Sequence, residues 1–140
     1  YTEVSLDSAV VLSPPLRGDR WLDADGCCEI IGLHRFVINP VGGKLRLSER
    51  FAIDFVQLDE SGRLYTGDPS VLTNWHYYGV DIYSAAEGRV VGVLDGLPDQ
   101  PPGSLPPGAT IVTAGGNHVV VDIGGGKYAF YAHMIPGSIT

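Results

Sequence analysis

Runs of positive charge and long apolar runs are both missing from this 140-residue sequence, whose formal charge is -7 at pH 7. A nucleic-acid backbone or an anionic membrane surface rewards a basic patch, so neither is expected as the main partner. No stretch of about 18 or more apolar residues occurs, which excludes a hydrophobic helix that spans a bilayer. A neutral or cationic ligand is therefore the easiest to accommodate.

Cysteine is scarce, and the only two cysteines, Cys27 and Cys28, are adjacent. Their adjacency excludes an ordinary long-range disulfide within the chain and leaves free thiols, a vicinal bridge or an intermolecular link. A metal site with two thiols is a further alternative, although zinc sites usually separate the thiols by about two to four residues. The cysteines therefore do not indicate whether the protein works in an oxidising or a reducing compartment.

The chain begins at Tyr1, with neither an initiator Met nor the charged start and apolar run of a secretion signal. We expect it to be processed or trimmed from a longer protein that continues past Thr140. Its length and its hydrophobic content of 44% suit a single domain. Localisation is not encoded in these residues.

Glycine and proline are abundant, with 19 and 10 residues, and they separate short β-branched and aromatic runs. This pattern predicts an all-β domain with many turns. Strands are predicted over residues 51–58 (FAIDFVQL), 89–94 (RVVGVL), 118–123 (HVVVDI) and 127–133 (KYAFYAH). Glycine tolerates the positive φ of a tight turn, so residues 124–126 (GGG) predict a hairpin between the last two strands.

Residues 95–114 hold five of the ten prolines. Proline cannot donate to a strand ladder, so this segment is predicted to be a long surface loop. Residues 1–47 are less regular and are predicted to form an N-terminal arm or lead-in segment. Residues 48–140 are predicted to form the β domain, an antiparallel sheet of the open-barrel or sandwich kind with the arm packed around it.

Two charged residues in the first predicted strand, Arg50 and Asp54, are four positions apart and should project from one face. Ala52 lies between them and leaves open space that suits a site. Phe51 and Phe55 should then point to the opposite face, into the core. A plain surface ion pair is the alternative, because exposed pairs of this kind are common and weak.

Further candidates lie at the end of the last predicted strand and in a loop. His133 is the last residue of that predicted strand. Histidine can accept or donate a proton near neutral pH, so His133 is a candidate acid or base. The alternative is a half-exposed histidine with no catalytic role. The aromatic cluster Trp75, Tyr77 and Tyr78 predicts a contact surface for a glycan or peptide, since flat amphipathic rings give contact area at low entropic cost. Its alternative role is to pack that loop onto the sheet.

Four segments occur in a familiar order: residues 50–55, 80–93 (VDIYSAAEGRVVGV), 116–126 (GNHVVVDIGGG) and 128–134 (YAFYAHM). From about residue 49 to 139 the chain resembles the lysostaphin-type, LytM-like zinc metallopeptidases. In that family a His-x-x-x-Asp strand precedes a Gly-Asn-x-Val strand and a Tyr-Ala-His-Leu segment. The resemblance implies the family's β fold and zinc hydrolysis of peptidoglycan cross-bridge peptides. It also implies an extracytoplasmic or secreted location in a bacterium.

The resemblance also implies roles for single residues. Asp54 corresponds to the aspartate zinc ligand, and His133 to the histidine that assists the attacking water or steadies the tetrahedral intermediate. Arg50 occupies the position of the first zinc-binding histidine, and its protonated guanidinium has no lone pair for a metal. The family's later His-x-His strand does not occur in this chain. A catalytic zinc normally has three protein ligands, and one of them is matched here.

His34 is the candidate substitute for the ligand lost at Arg50, if the N-terminal arm folds back over the sheet. One hypothesis is therefore a zinc endopeptidase directed at peptidoglycan, with a completed metal site. The second is a non-catalytic module that binds cell-wall peptide or a protein partner and holds Arg50 and Asp54 as an ion pair in place of zinc. A third, a carbohydrate or peptide carrier, is supported by the aromatic loop alone.

Overall fold

The computed structural model of the chain describes residues 6–26, 31–104 and 106–140, so the predictions for Cys27 and Cys28 lie outside the described residues. The strands are β1 (Trp21–Gly26), β2 (Asn39–Val41), β3 (Lys44–Arg46), β4 (Ile53–Gln57), β5 (Arg89–Leu94), β6 (Asn117–Gly124) and β7 (Lys127–Met134). In these described ranges, helix is limited to the single turn α1 (Leu33–Phe36) and a 3-10 turn at Leu72–Asn74. The predicted all-β class is confirmed.

The strands form three antiparallel sheets, with the orders β1-β4, β2-β3 and β5-β6-β7. None of these sheets closes into a barrel within the ranges that the structure describes. Among the same residues, no helix is long and apolar enough to cross a membrane.

The three-stranded sheet agrees with the predicted strand pattern. β5 has the predicted bounds, and β6 and β7 each extend the prediction by a single residue at one or both ends. Gly124 pairs with Lys127 across the predicted hairpin, and all three glycines of the turn have positive φ. The hairpin is confirmed, and it is stabilised by the freedom of glycine to adopt this backbone conformation.

The long loop after β5 contains no strand in its described part, as predicted. Asn117 anchors it, since its side chain is 3% exposed and exchanges two 2.8 Å hydrogen bonds with the backbone of Leu97. The same amide donates to the carbonyl oxygen of Met134 at 3.0 Å. One buried side chain therefore ties the loop to both β6 and β7.

The β1-β4 sheet differs from the prediction for this part of the chain. Residues 48–51 form a turn, so β4 begins at Ile53 and Arg50 lies outside it. The expected core face is wrong, because Phe51 is 77% exposed and Phe55 is 37% exposed. Among the described residues, α1 is the element that contacts this two-stranded sheet from outside it, and a single helical turn cannot bury that face. Ala85 and Val121 are the buried hydrophobic residues of the described chain.

The N-terminal segment does pack against the rest of the chain. The Ser13 amide donates to the Ala85 carbonyl at 2.8 Å, and the Tyr83 amide donates to the Pro15 carbonyl at 2.8 Å. The same segment also supplies β1, which pairs with β4. Residues from both sides of the predicted boundary at 47/48 thus share one sheet, and the division itself stays a prediction.

Candidate functional site

Three potential metal ligands meet on the β1-β4 sheet: Asp25, His34 and Asp54, called here the metal cluster. One ligand atom from each residue lies within 4.8 Å of the other two. His34 is 13% exposed at its side chain, and its Nε2 lies 3.4 Å from the Asp54 carboxylate. The structure therefore brings the proposed substitute ligand His34 to Asp54, together with a second aspartate.

A bulge in β1 explains why Asp25 reaches the cluster. Asp23 pairs with Phe55, and a regular ladder would next place Ala24 opposite Asp54. The register shifts by one residue after Asp23, so Asp25 stands opposite Asp54 instead. A shift of one residue exchanges the side chains on the two faces of a strand. The bulge therefore creates the pairing of the two carboxylates.

The donor types of the metal cluster, one imidazole and two carboxylates, are ones that zinc binds in proteins. Zinc binds imidazole nitrogen and carboxylate oxygen at about 2.0–2.2 Å, which places the donor atoms of a tetrahedral site about 3.3–3.5 Å apart. The 3.4 Å between His34 Nε2 and Asp54 Oδ2 agrees with that spacing. His34 Nδ1 is buried without a hydrogen-bond partner, so it lacks the outer acceptor that metal-bound imidazoles usually have.

Arg50 is not part of this arrangement. It lies in the turn before β4, and its guanidinium stands 5.7 Å from the ring centroid of Phe51. The ion pair that the spacing of Arg50 and Asp54 suggested does not form among the described residues, because the rule for positions four apart holds only inside a strand. Asp54 pairs with His34 instead.

His133 lies on the other sheet, at an irregularity near the end of β7. Asn117 pairs with Met134 but Val119 pairs with Tyr131, so β7 has one extra residue there. His133 has a φ of 61°, and its amide donates to the Gly115 carbonyl at 2.9 Å. A left-handed backbone costs a residue other than glycine roughly 1–2 kcal/mol, and such residues concentrate at functional sites.

His133 and the three predicted substrate-contacting aromatics, Trp75, Tyr77 and Tyr78, line one open groove of about 1040 Å³. Tyr83 and Tyr131 also line this surface, which we call the aromatic groove. The predicted contact residues are therefore brought together with His133. The metal cluster is not part of the groove lining, and no strand contact within the described ranges joins the β1-β4 sheet to β5-β6-β7.

Hydrogen bonds and ring contacts hold the groove residues in place. The Trp75 indole N–H donates to the Pro69 carbonyl at 3.0 Å, and its ring packs edge-on against Tyr77. The Tyr78 hydroxyl donates to Asp99 at 2.7 Å, and this bond raises the pKa of Tyr78. Trp75 also packs on Tyr65, so the aromatic loop serves both its own packing and the groove.

Tyr131 is fixed in the groove by a contact with the segment before β5. Its hydroxyl accepts a 2.7 Å hydrogen bond from the Ala85 amide. Because that bond uses a lone pair, the hydroxyl proton remains available to donate to a ligand.

Asp25 is the functional candidate that the sequence analysis missed. Its only local signal is the alternation of Asp23 and Asp25 in a short polar segment, which does not specify a partner strand. The pairing with β4 and the bulge are both needed to assign it. The chain matches no family model, no curated protein and no solved structure with which it was compared.

Proposed function

We propose that this chain is a zinc-binding, lysostaphin-type domain that binds peptides of the bacterial cell wall. The metal cluster carries the proposal, because Asp54 is the residue that corresponds to a family zinc ligand and two further donors lie within 4.8 Å of it. Asp25 and His34 then replace the two ligands that the family motifs lack in this chain. The aromatic groove receives the peptide.

Each part of this arrangement has a separate task. Asp25, His34 and Asp54 would hold the ion. A bound zinc would lower the pKa of a water molecule and polarise a carbonyl group. In the groove, the aromatic rings contact the peptide, the Tyr131 hydroxyl donates a hydrogen bond, and His133 accepts or donates a proton.

Zinc hydrolysis of cross-bridge peptides is the second candidate function. The left-handed backbone of His133 favours it, since this conformation sets an imidazole at the groove surface at a cost in stability. Hydrolysis requires the ion and His133 at the same peptide bond. The absence of strand contacts between the two sheets in the described chain supports binding as the first function.

Elemental analysis after dialysis against zinc-free buffer tests the metal site. The wild-type chain should retain about one zinc per chain. His34→Ala should retain none, because two carboxylates, one half-buried and one exposed, bind zinc weakly without the imidazole. His133→Ala removes a histidine outside the cluster and should keep the ion. Wild-type protein without zinc, or zinc retained in His34→Ala, would contradict the proposed site.

Binding and cleavage of a purified cross-bridge peptide separate the two functions. Incubation with the zinc-loaded chain, followed by mass spectrometry, should show an intact peptide if the domain only binds. Cleavage that is lost in both His34→Ala and His133→Ala would establish the hydrolytic function instead. Tryptophan fluorescence in the same samples, compared with that of Trp75→Phe, which keeps Trp21, reports whether the peptide is bound near Trp75.

A further inference from the structure

The lining of the aromatic groove contains more acidic than basic side chains. Three acidic side chains line it, namely Asp81, Glu87 and Asp99. No Lys or Arg belongs to its lining within the described ranges, and His133 is the basic side chain present. Burial of an anionic ligand group among these carboxylates would be unfavourable, whereas an ammonium group would be attracted.

One of the acidic groups, Asp99, contacts an aromatic side chain. Asp99 is held against Tyr78 by the 2.7 Å bond from the phenol, so its carboxylate has a defined position in the groove. Aromatic faces attract a cation through their ring quadrupole, which adds to the attraction of a nearby carboxylate. The Arg17 guanidinium, which is not part of the groove lining, already lies 4.6 Å from the Tyr83 ring centroid, so the other rings of the groove would receive a ligand cation.

We propose that the aromatic groove selects peptides that carry a free ammonium group, such as a lysine side chain. This inference rests on the proposed peptide-binding function and adds the charge of the ligand to it. The carboxylates supply the attraction and the rings supply the contact area. The overall charge of -7 favours the approach of the same ligands from solution.

A pair of matched peptides tests the selectivity. The probes are acetyl-Ala-Ala-Lys-Ala-Ala-amide and the same peptide with its lysine acetylated at Nε, titrated into the full chain by calorimetry. The free-lysine peptide should bind about fivefold tighter or more at low salt. The difference should shrink at about 0.5 M NaCl, because salt screens exposed charges.

The outcomes separate the two proposals. Equal binding of both peptides would overturn the charge selectivity and leave peptide binding intact. If neither peptide bound, the peptide-binding function would fail and the selectivity with it. Tighter binding of the acetylated peptide would overturn the selectivity directly.

Charge-neutral variants locate the effect in the groove. Glu87→Gln and Asp81→Asn should each weaken the binding of the free-lysine peptide by about twofold to fivefold and weaken that of the acetylated peptide by less. Glu60→Gln removes the same charge from an exposed position that is not part of the groove lining. It should change neither affinity by more than about 1.5-fold. An equal loss in Glu60→Gln would show that only net charge acts, which overturns selection by the groove.

Discussion

The β5-β6-β7 sheet and the β1-β4 sheet differ in how their residues come together. β6 and β7 are neighbours in sequence and are joined by the glycine turn. β1 and β4 are separated by α1, β2 and β3, and their pairing contains the bulge that aligns Asp25 with Asp54. The β5-β6-β7 sheet contributes His133 to the aromatic groove. The β1-β4 sheet supplies Asp25 and Asp54 to the metal cluster. The groove residues could therefore be predicted from the sequence, whereas the metal cluster depends on the pairing of two strands that are far apart in the sequence.

The substitution Asn117→Ala should have the largest effect on stability, because it removes the side chain that ties the loop after β5 to β6 and β7. This change leaves the Leu97 amide and two carbonyl oxygens without their partner in a part-buried position. A fully buried unsatisfied group costs about 1–3 kcal/mol, and water can reach these groups in part, so we expect a fall of about 2–4 kcal/mol in the free energy of unfolding. Urea unfolding followed by circular dichroism measures it.

A matched asparagine provides the control for that measurement. Asn39 donates one 2.8 Å hydrogen bond to the exposed Ser48 hydroxyl. Asn39→Ala should cost less than about 1 kcal/mol, because water replaces an exposed partner. Similar losses in the two variants would mean that Asn117 does not anchor the loop.

Zinc binding at the metal cluster should have the second largest effect on stability, because it should stabilise the β1-β4 sheet. A ligand that binds only the folded state adds about 2.7 kcal/mol when its free concentration is 100-fold above its Kd. Wild-type protein and His133→Ala should both gain this stability in urea unfolding with zinc, whereas His34→Ala should gain none. A zinc-dependent gain that survives in His34→Ala would place the ion elsewhere.

The smallest expected effect on stability comes from Asp59, in the loop that leads from β4 towards the aromatic groove. Hydrogen bonds from the backbone and guanidinium of Arg63 lower the pKa of Asp59 from 3.8 to about 2. The folded state therefore favours the ionised carboxyl. This contribution is complete above the unfolded pKa of about 3.8 and is lost as pH falls through about 2.

Asp59→Asn should therefore be less stable than wild type at neutral pH, and the difference should shrink as pH falls from about 4 to 2. Urea unfolding at several pH values in this range measures the difference. Glu60→Gln changes the neighbouring carboxyl, for which the structure shows no such bonds, and should keep the acid dependence of wild type. A difference for Asp59→Asn that stays constant down to pH 2 would exclude the hydrogen bonds to Arg63 as its cause.

Much of the three-stranded sheet was predictable from local sequence. Alternating β-branched and aromatic residues define β5, β6 and β7, and three successive glycines define the turn between the last two. These signals lie within a few residues of the structure that they specify. The position of His133 at the end of β7 was predictable for the same reason, although its left-handed backbone was not.

The sequence by itself determined the all-β class, the hairpin and the proline-rich loop, and through the family resemblance it suggested Asp54, His34 and His133 as candidate residues. Tertiary structure alone decided that Asp25 joins Asp54, that Arg50 falls in a turn, and that His133 shares a groove with the aromatic loop. The physical reason is range: alternation and turn chemistry act between neighbouring residues, whereas strand pairing and register depend on distant partners. A one-residue bulge, which no local pattern specifies, chose between Ala24 and Asp25 at the metal cluster.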